Sequence, residues 1–127
     1  MRILHILDHS IPLHSGYTFR TRAILEQQRR MGWETFHITS TKQGRTMESL
    51  EQVGDLAFYR TQPPSGVIGR LPVLNQLAVV SRLERRLAGV IPEVKPDLLL
   101  AHSPVLNGLA ALRVARRFSL PLVYEVR

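Results

Sequence analysis

The first thirty residues constrain the fold more than any other part of the sequence. A mostly apolar run over residues 3–7 has the length of a strand that is covered on both faces of a parallel sheet. A polar loop over residues 9–16 follows. From residue 17 onward apolar side chains, among them Phe19 and Ile24, recur at three- and four-residue steps and predict a helix with these residues facing the core. A strand that enters a helix through a glycine-bearing loop leaves backbone N–H groups at the helix start, which attract anions.

Several residues around this helix start are candidate ligands for an anion, above all a phosphate. Ser15 and Gly16 supply the loop end, and His9 and His14 flank it, either as ligand contacts or as loop residues without a role. Arg20 falls in the first turns of the helix, where a cation opposes the helix dipole by about 0.3–1 kcal/mol. Either this arginine is solvated, or a bound anion compensates its charge. A Gly-x-Gly-x-x-Gly dinucleotide fingerprint is absent, which argues against NAD but not against other phosphates.

Strands and helices alternate along the remainder of the chain. The pattern predicts strands at residues 2–8, 34–39, 56–61, 97–102 and 121–126, without hairpin signals between them. We therefore predict an α/β, Rossmann-like fold, with a doubly wound parallel sheet of five strands in the order 3-2-1-4-5. Residues 40–54 are predicted to be loop-like with one helical turn near residues 47–52. Residues 62–72, rich in proline and glycine, are predicted to be a surface loop.

That strand order places a topological switch point between the first and fourth strands, where ligands of such sheets bind. The Ser15-Gly16 loop follows the first strand, and His102 ends the fourth, so the two should converge on one crevice. Ser103 is the predicted N-cap of the next helix, whose positive end favours a neutral, crevice-facing imidazole that can bond a sugar hydroxyl. The alternative for His102 is a partly buried ring that bonds only local backbone. Glu125 ends the fifth strand on the same side, as a ligand contact or as a solvent-facing strand end.

The remaining titratable residues suggest no metal or covalent chemistry. His5 and His37 lie inside predicted strands and are expected to be structural. No predicted helix carries a histidine pair at the i, i+4 spacing of a metal site, and the sequence has no cysteine, so we expect no metal and no other cofactor. No Ser-His-Asp set or carboxylate pair can be assembled from the sequence pattern.

The length and the net charge of the chain indicate which classes of ligand and partner it can bind. The 127 residues suit one domain, and the net charge of +7 comes almost wholly from arginine, whose planar fork binds phosphate groups or anionic lipid head groups. Aromatic residues are only 6% of the chain and no stacking pattern appears, so no nucleic-acid partner is expected. The chain has no signal-peptide pattern and no apolar run of about 18 residues. We expect a cytoplasmic protein, with peripheral contact at the inner face of the cell membrane.

The order and spacing of four motifs resemble the N-terminal domain of GT-B glycosyltransferases of family 4. These motifs are Pro-x-x-Ser-Gly before the first helix, Met-Gly-Trp-Glu before the second strand, Pro-Asp-Leu-Leu-Leu-Ala-His-Ser-Pro around the fourth and Pro-Leu-Val-Tyr-Glu-Val-Arg at the fifth. Residues 8–21 most resemble the subgroup associated with exosortase and exopolysaccharide gene clusters. The resemblance covers essentially the whole chain.

This resemblance implies a retaining, metal-independent transfer of a sugar from a nucleotide-sugar donor to a glycan or lipid-linked acceptor, in exopolysaccharide biosynthesis. In that family the N-terminal domain mainly holds the acceptor. Its glycine loop approaches the donor phosphate, a role that maps to Ser15 and Gly16, where the usual Gly-Gly is Ser-Gly. The family histidine that contacts the transferred sugar maps to His102.

A complete enzyme of this kind needs a second, donor-binding domain. Residues 1–127 are therefore expected to be a single, incomplete N-terminal domain that is inactive alone. Two other functions stay open. One is a non-catalytic phosphate- or nucleotide-binding Rossmann module. The other is a basic domain that docks on anionic membranes through Arg82, Arg85 and Arg86.

Overall fold

The computed structural model describes residues 1–44, 48–63 and 72–126, and these ranges contain six strands and three α-helices. The strands are β1 (Arg2–Leu7), β2 (Glu34–Thr39), β3 (Leu50–Val53), β4 (Leu56–Tyr59), β5 (Leu98–His102) and β6 (Leu122–Glu125). The helices are α1 (Gly16–Arg30), α2 (Pro72–Val94) and α3 (Val105–Phe118), with a short 3-10 helix at Thr41–Gln43.

The strands form one sheet in the order β3-β4-β2-β1-β5-β6. All neighbouring strands are parallel except β3 and β4. The predicted α/β, Rossmann-like class is confirmed, and β1 lies beside β5 as expected. The prediction of a five-stranded, wholly parallel sheet is wrong, because β3 adds a sixth, antiparallel strand at the edge. The five predicted strands keep their predicted relative order inside this larger sheet.

The additional strand comes from a hairpin that the sequence analysis missed. Val53 pairs with Leu56 across the two-residue turn Gly54-Asp55, and Gly54 has a φ of +63°, the left-handed region that glycine adopts readily. The helical turn predicted near residues 47–52 is also wrong for its described part, where β3 begins at Leu50. Residue 47 lies outside the described residues, as do residues 64–71 of the predicted loop at 62–72.

The core lies on both faces of the sheet. Residues 3–7 of β1 are all buried, which is the pattern of a strand covered from both sides. One face packs Leu4, Ile6 and Leu99 against α2 and α3, and the other packs Leu7 into a smaller cluster with Leu25 of α1. The outermost strands, β3 and β6, form the two edges of the sheet.

Helix α1 faces the sheet with a different side from the predicted one. Phe19 is 53% exposed, while Thr18, Thr21 and Leu25 are buried. The sheet surface beneath α1 includes His5, whose ring bonds Gln28 of this helix. Small polar side chains therefore fit against this surface, and a purely apolar helix stripe does not.

Candidate active site at the switch point

A polar group lies at the carboxyl ends of β1, β5 and β6. It includes the loop from β1 to α1, the last residue of β5 and the last residue of β6, and it lies at the switch point of the sheet. His102 and Glu125 are directly paired in the β5–β6 register. The parallel ladder therefore brings together two residues that the sequence separates by a whole helix.

The ring of His102 is fully buried, so the expectation of an open, crevice-facing imidazole is wrong. Its Nε2 lies 3.0 Å from Nδ1 of His5, and its Nδ1 lies 3.4 Å from Oε2 of Glu125. The His5 and His102 rings are stacked with centroids 5.3 Å apart. The alternative interpretation, bonding to local backbone only, also fails for the ring, because its partners are side chains from two other strands.

The histidine pair continues into α1 and has two consistent protonation patterns. Nε2 of His5 lies 2.7 Å from Oε1 of Gln28 and donates to it. His5 Nδ1 then accepts from His102 Nε2–H. In this pattern Glu125 accepts a hydrogen bond from His102 only if His102 also carries a proton on Nδ1. Rotating the Gln28 amide by 180° reverses the Gln28–His5 and His5–His102 hydrogen bonds, and His102 Nδ1–H then donates to Glu125 with both rings neutral.

Arg20 and Glu125 form the exposed end of this series of side chains. Nη2 of Arg20 lies 3.1 Å from Oε1 of Glu125, with the Arg20 side chain 60% and the Glu125 side chain 26% exposed. The cation at the start of α1 therefore has a carboxylate partner, which neither of the two sequence interpretations included. An exposed pair of this kind contributes little to stability, about 0–1 kcal/mol. Separating the two side chains therefore costs little free energy.

The loop before α1 holds a second chain of hydrogen bonds. His9 Nδ1 lies 2.8 Å from Oδ2 of Asp8, and His9 Nε2 lies 3.0 Å from Oγ of Ser15. The prediction that no Ser-His-Asp set can be assembled is therefore wrong. Because His9 Nδ1–H donates to the Asp8 carboxylate, Nε2 accepts from the Ser15 hydroxyl, whose oxygen accepts in turn from the backbone N–H of Thr18 at 3.1 Å. These contacts fix the start of α1 through its capping box.

The other two predicted loop residues differ in their placement. A Cβ atom added at Gly16 would meet no heavy atom within 4 Å, so the space at the helix start is open. His14 is exposed, and its ring packs edge-on against Phe19 with centroids 5.7 Å apart. His9, Ser15 and Gly16 are thus brought together, and Arg20 joins Glu125 and His102, whereas His14 points to another part of the surface.

Tyr17 connects the two loops and was missed by the sequence analysis. Its hydroxyl accepts from the backbone N–H of Asp8 at 2.9 Å and donates to the carbonyl oxygen of Ser103 at 3.0 Å. Its ring also stacks on His9. No sequence signal distinguishes this tyrosine from an ordinary helix residue. Ser103 is not the N-cap of α3, because Pro104 occupies that position with extended backbone and the helix begins at Val105.

His37 is the third histidine of the sheet and lies beside His5 in the β1–β2 register, with ring centroids 6.2 Å apart, but its ring nitrogens bond other partners. Its Nδ1–H donates to the carbonyl oxygen of Ala57, and its Nε2 accepts from the hydroxyl of Thr35, both at 2.8 Å. Burial lowers the pKa of His37 from 6.5 to about 3. The ring is therefore neutral at physiological pH, in line with the expected structural role.

The described residues contain neither a metal-binding cluster nor a membrane-spanning helix. No group of three or more His, Asp or Glu side chains in residues 1–44, 48–63 and 72–126 is arranged to hold a metal ion. None of the helices in the part of the chain that the structure describes is long and apolar enough to cross a membrane.

Fold and site together define a Rossmann-like α/β domain with a polar group at its switch point. The sequence model of the glycosyl transferase 4-like domain family matches residues 15–127, and the chain belongs to that family. The resemblance to family 4 glycosyltransferases is confirmed at this level, while the exosortase-associated subgroup stays a prediction. No curated protein sequence matches the chain.

Solved structures share the fold at low sequence identity. Sucrose-phosphate synthase from Thermosynechococcus elongatus superposes with a TM-score of 0.68 at 14% identity, over 97% of this chain and 32% of that one. SsfS6, a glycosyltransferase from Streptomyces sp. SF2575, gives 0.63 at 20% identity, over 99% of this chain and 39% of that one. The C-terminal domain of a hydrogenase from Pyrococcus furiosus gives 0.67 at 14% identity, over 98% and 90%. The chain thus spans about a third of the first two structures, and these likenesses establish the fold alone.

Proposed function

We propose that this chain is the N-terminal half of a retaining glycosyltransferase that moves a sugar from a nucleotide-sugar donor to a glycan or lipid-linked acceptor. The observation that carries the proposal is that two groups of hydrogen-bonded side chains lie at the switch point. One group pairs Ser15 with His9, and the other joins His102, Glu125 and Arg20. A second, donor-binding domain completes the enzyme, and residues 1–127 have no transferase activity alone. The transfer needs no metal ion and belongs to exopolysaccharide biosynthesis, in the cytoplasm or at the inner face of the membrane.

The start of α1 is the proposed contact with the donor phosphate. Gly16 has open space where a side chain would otherwise stand, so a phosphate oxygen can approach the backbone N–H groups. The Ser15 hydroxyl is already engaged between His9 and Thr18, which makes the backbone rather than this side chain the donor. Arg20 adds a cation once it leaves Glu125. His14 contributes to ligand binding only from the outer side of the loop.

His102 is the proposed catalytic residue, through a hydrogen bond to the transferred sugar. In the described arrangement Glu125 covers its Nδ1 at 3.4 Å, a long contact made by a partly exposed side chain on an edge strand. A rotation of Glu125 would free that nitrogen for a sugar hydroxyl. His5 and Gln28 hold the opposite side of the ring and so fix its orientation.

Two variants of the full-length protein test this assignment. His102→Gln should lower the turnover of sugar transfer about 100-fold, the scale of losing one well-placed polar group at a reacting centre. Glu125→Ala should keep turnover within about tenfold of the unaltered protein, because it removes only the carboxylate that contacts His102 Nδ1. Thermal unfolding of both variants controls for loss of fold. Equal losses of turnover would assign the sugar contact to Glu125 instead, and nucleotide-sugar binding without any transfer would favour the non-catalytic phosphate-binding module.

A further inference from the structure

Three arginines of α2 line a cavity outside the candidate active site. Arg82, Arg85 and Arg86 follow one another at i, i+3 and i+4, so they share one helix face. Together with Arg60 and Thr61, which follow β4, they bound a cavity of about 340 Å³. The carboxyl end of β4 lies at the same edge of the sheet as that of β2, its parallel neighbour.

Among the residues that the structure describes, most of the arginines around this cavity have no carboxylate partner. The guanidinium of Arg60 pairs with Glu51 at 2.6 Å, and that of Arg86 donates to the backbone oxygens of Arg60 and Ser49 at 3.2 and 3.0 Å. Arg82 and Arg85 are exposed and have no hydrogen bond or ion pair with any described residue. Like charges one turn apart on a helix repel each other, so α2 gains nothing from this arrangement by itself.

The Thr61 hydroxyl in the cavity wall has no hydrogen-bond partner in the part of the chain that the structure describes. The residue is only 4% exposed, and within the described ranges its Oγ1 is the buried side-chain polar atom without any partner. A buried hydroxyl that bonds nothing is unfavourable, and native proteins leave few of them. A ligand oxygen in the adjoining cavity can supply the partner after a rotation about the Cα–Cβ bond of Thr61.

We infer that this cavity binds a phosphate or diphosphate group, held by Arg82 and Arg85 and bonded by the Thr61 hydroxyl. Arginine forks match phosphate oxygens geometrically, and hydrogen bonds from a guanidinium to a phosphate are charge-assisted and stronger than neutral ones. The inference goes beyond the proposed function, because it depends on none of the residues at the switch point. The phosphate group can belong to a free solute or to a lipid head group, and the experiment separates the two.

The test compares a site variant with a charge-matched control. The site variant is Arg82→Gln/Arg85→Gln, and the control, Arg30→Gln/Arg116→Gln, removes the same charge from exposed arginines elsewhere. Calorimetry with inorganic pyrophosphate at fixed ionic strength, and co-sedimentation with vesicles of phosphatidylglycerol and phosphatidylcholine or of phosphatidylcholine alone, measure the two sources.

We expect the site variant to bind at least about tenfold more weakly than the unaltered protein, and the control to stay within about twofold. A loss in the pyrophosphate arm supports a free phosphate ligand. A loss confined to the phosphatidylglycerol vesicles supports a lipid head group. Absence of binding in both arms, or an equal loss in the control, overturns the inference.

Thr61→Val separates the role of the hydroxyl from that of the charges. The substitution keeps the shape of the side chain and removes the buried oxygen that lacks a partner. The melting temperature without ligand should stay equal or rise, and binding in the responsive arm should weaken about threefold or more. A lower melting temperature together with unchanged binding would overturn the role given to Thr61.

Discussion

The buried ring of His37 should make the fold lose stability as the pH falls below neutrality. Burial lowers the pKa of this histidine from 6.5 to about 3, and both ring nitrogens are already hydrogen-bonded to Ala57 and Thr35. At a pH between these two pKa values, His37 binds a proton in the unfolded chain but stays neutral in the folded chain. The free energy of unfolding therefore falls as the pH drops through that window, by about 1.4 kcal/mol for each pH unit and about 5 kcal/mol in all. Above the unfolded pKa the full contribution is present.

Urea unfolding of the unaltered protein and of His37→Gln at about pH 7.5 and pH 5.5 checks this slope. The unaltered protein should lose about 1.4 kcal/mol more than the variant between the two pH values. The variant keeps polar groups in place of the ring but cannot take up a proton there. All other ionisable residues are the same in both proteins, so their effects cancel in the difference. An equal pH dependence in the two proteins would refute the assignment of this effect to His37.

Two further predictions concern stability. Arg60→Ala should lower the free energy of unfolding by about 3 kcal/mol, because its buried guanidinium pairs with Glu51 and holds the loop before α1 through Ser10; urea unfolding checks this, and a loss below about 1 kcal/mol would contradict it. Gly89→Ala should raise the free energy of unfolding by up to about 1 kcal/mol, since a Cβ there meets nothing within 4 Å in a helix interior. Gly108→Ala is the comparison: its Cβ would lie 3.1 Å from the ring of Tyr124, so thermal unfolding should show a smaller gain, and equal gains would contradict the reasoning.

The apolar strands could be predicted closely from the sequence, and the edge hairpin could not. β1, β2 and β5 are short apolar or β-branched runs, and their observed bounds lie within one residue of the predicted ones. β3 alternates exposed and half-buried residues, so its sequence lacks the apolar signal of a central strand. The Gly54-Asp55 dipeptide is the sequence signal that could have predicted this hairpin.

The candidate site was predictable in its location but not in its contacts. Strand order alone places His102 and Glu125 near the loop of Ser15, because parallel strands share one carboxyl edge. The partner of His102, however, is His5, which lies 97 residues away and meets it only through the β1–β5 pairing and the side-chain rotamers. The Tyr17 bridge depends on the angle at which α1 leaves its cap. Neither quantity leaves a trace in local sequence spacing.

Sugar transfer by the full-length protein tests the central claim most directly. The purified protein is incubated with UDP-glucose, UDP-N-acetylglucosamine or GDP-mannose and a lipid extract as acceptor, and nucleotide release and the anomeric configuration of the product are measured. The proposed function predicts nucleotide release with at least one donor, a labelled lipid product with retained configuration, and loss of both in His102→Gln. A folded, full-length protein that releases no nucleotide from any donor, or that forms an inverted product, would contradict it.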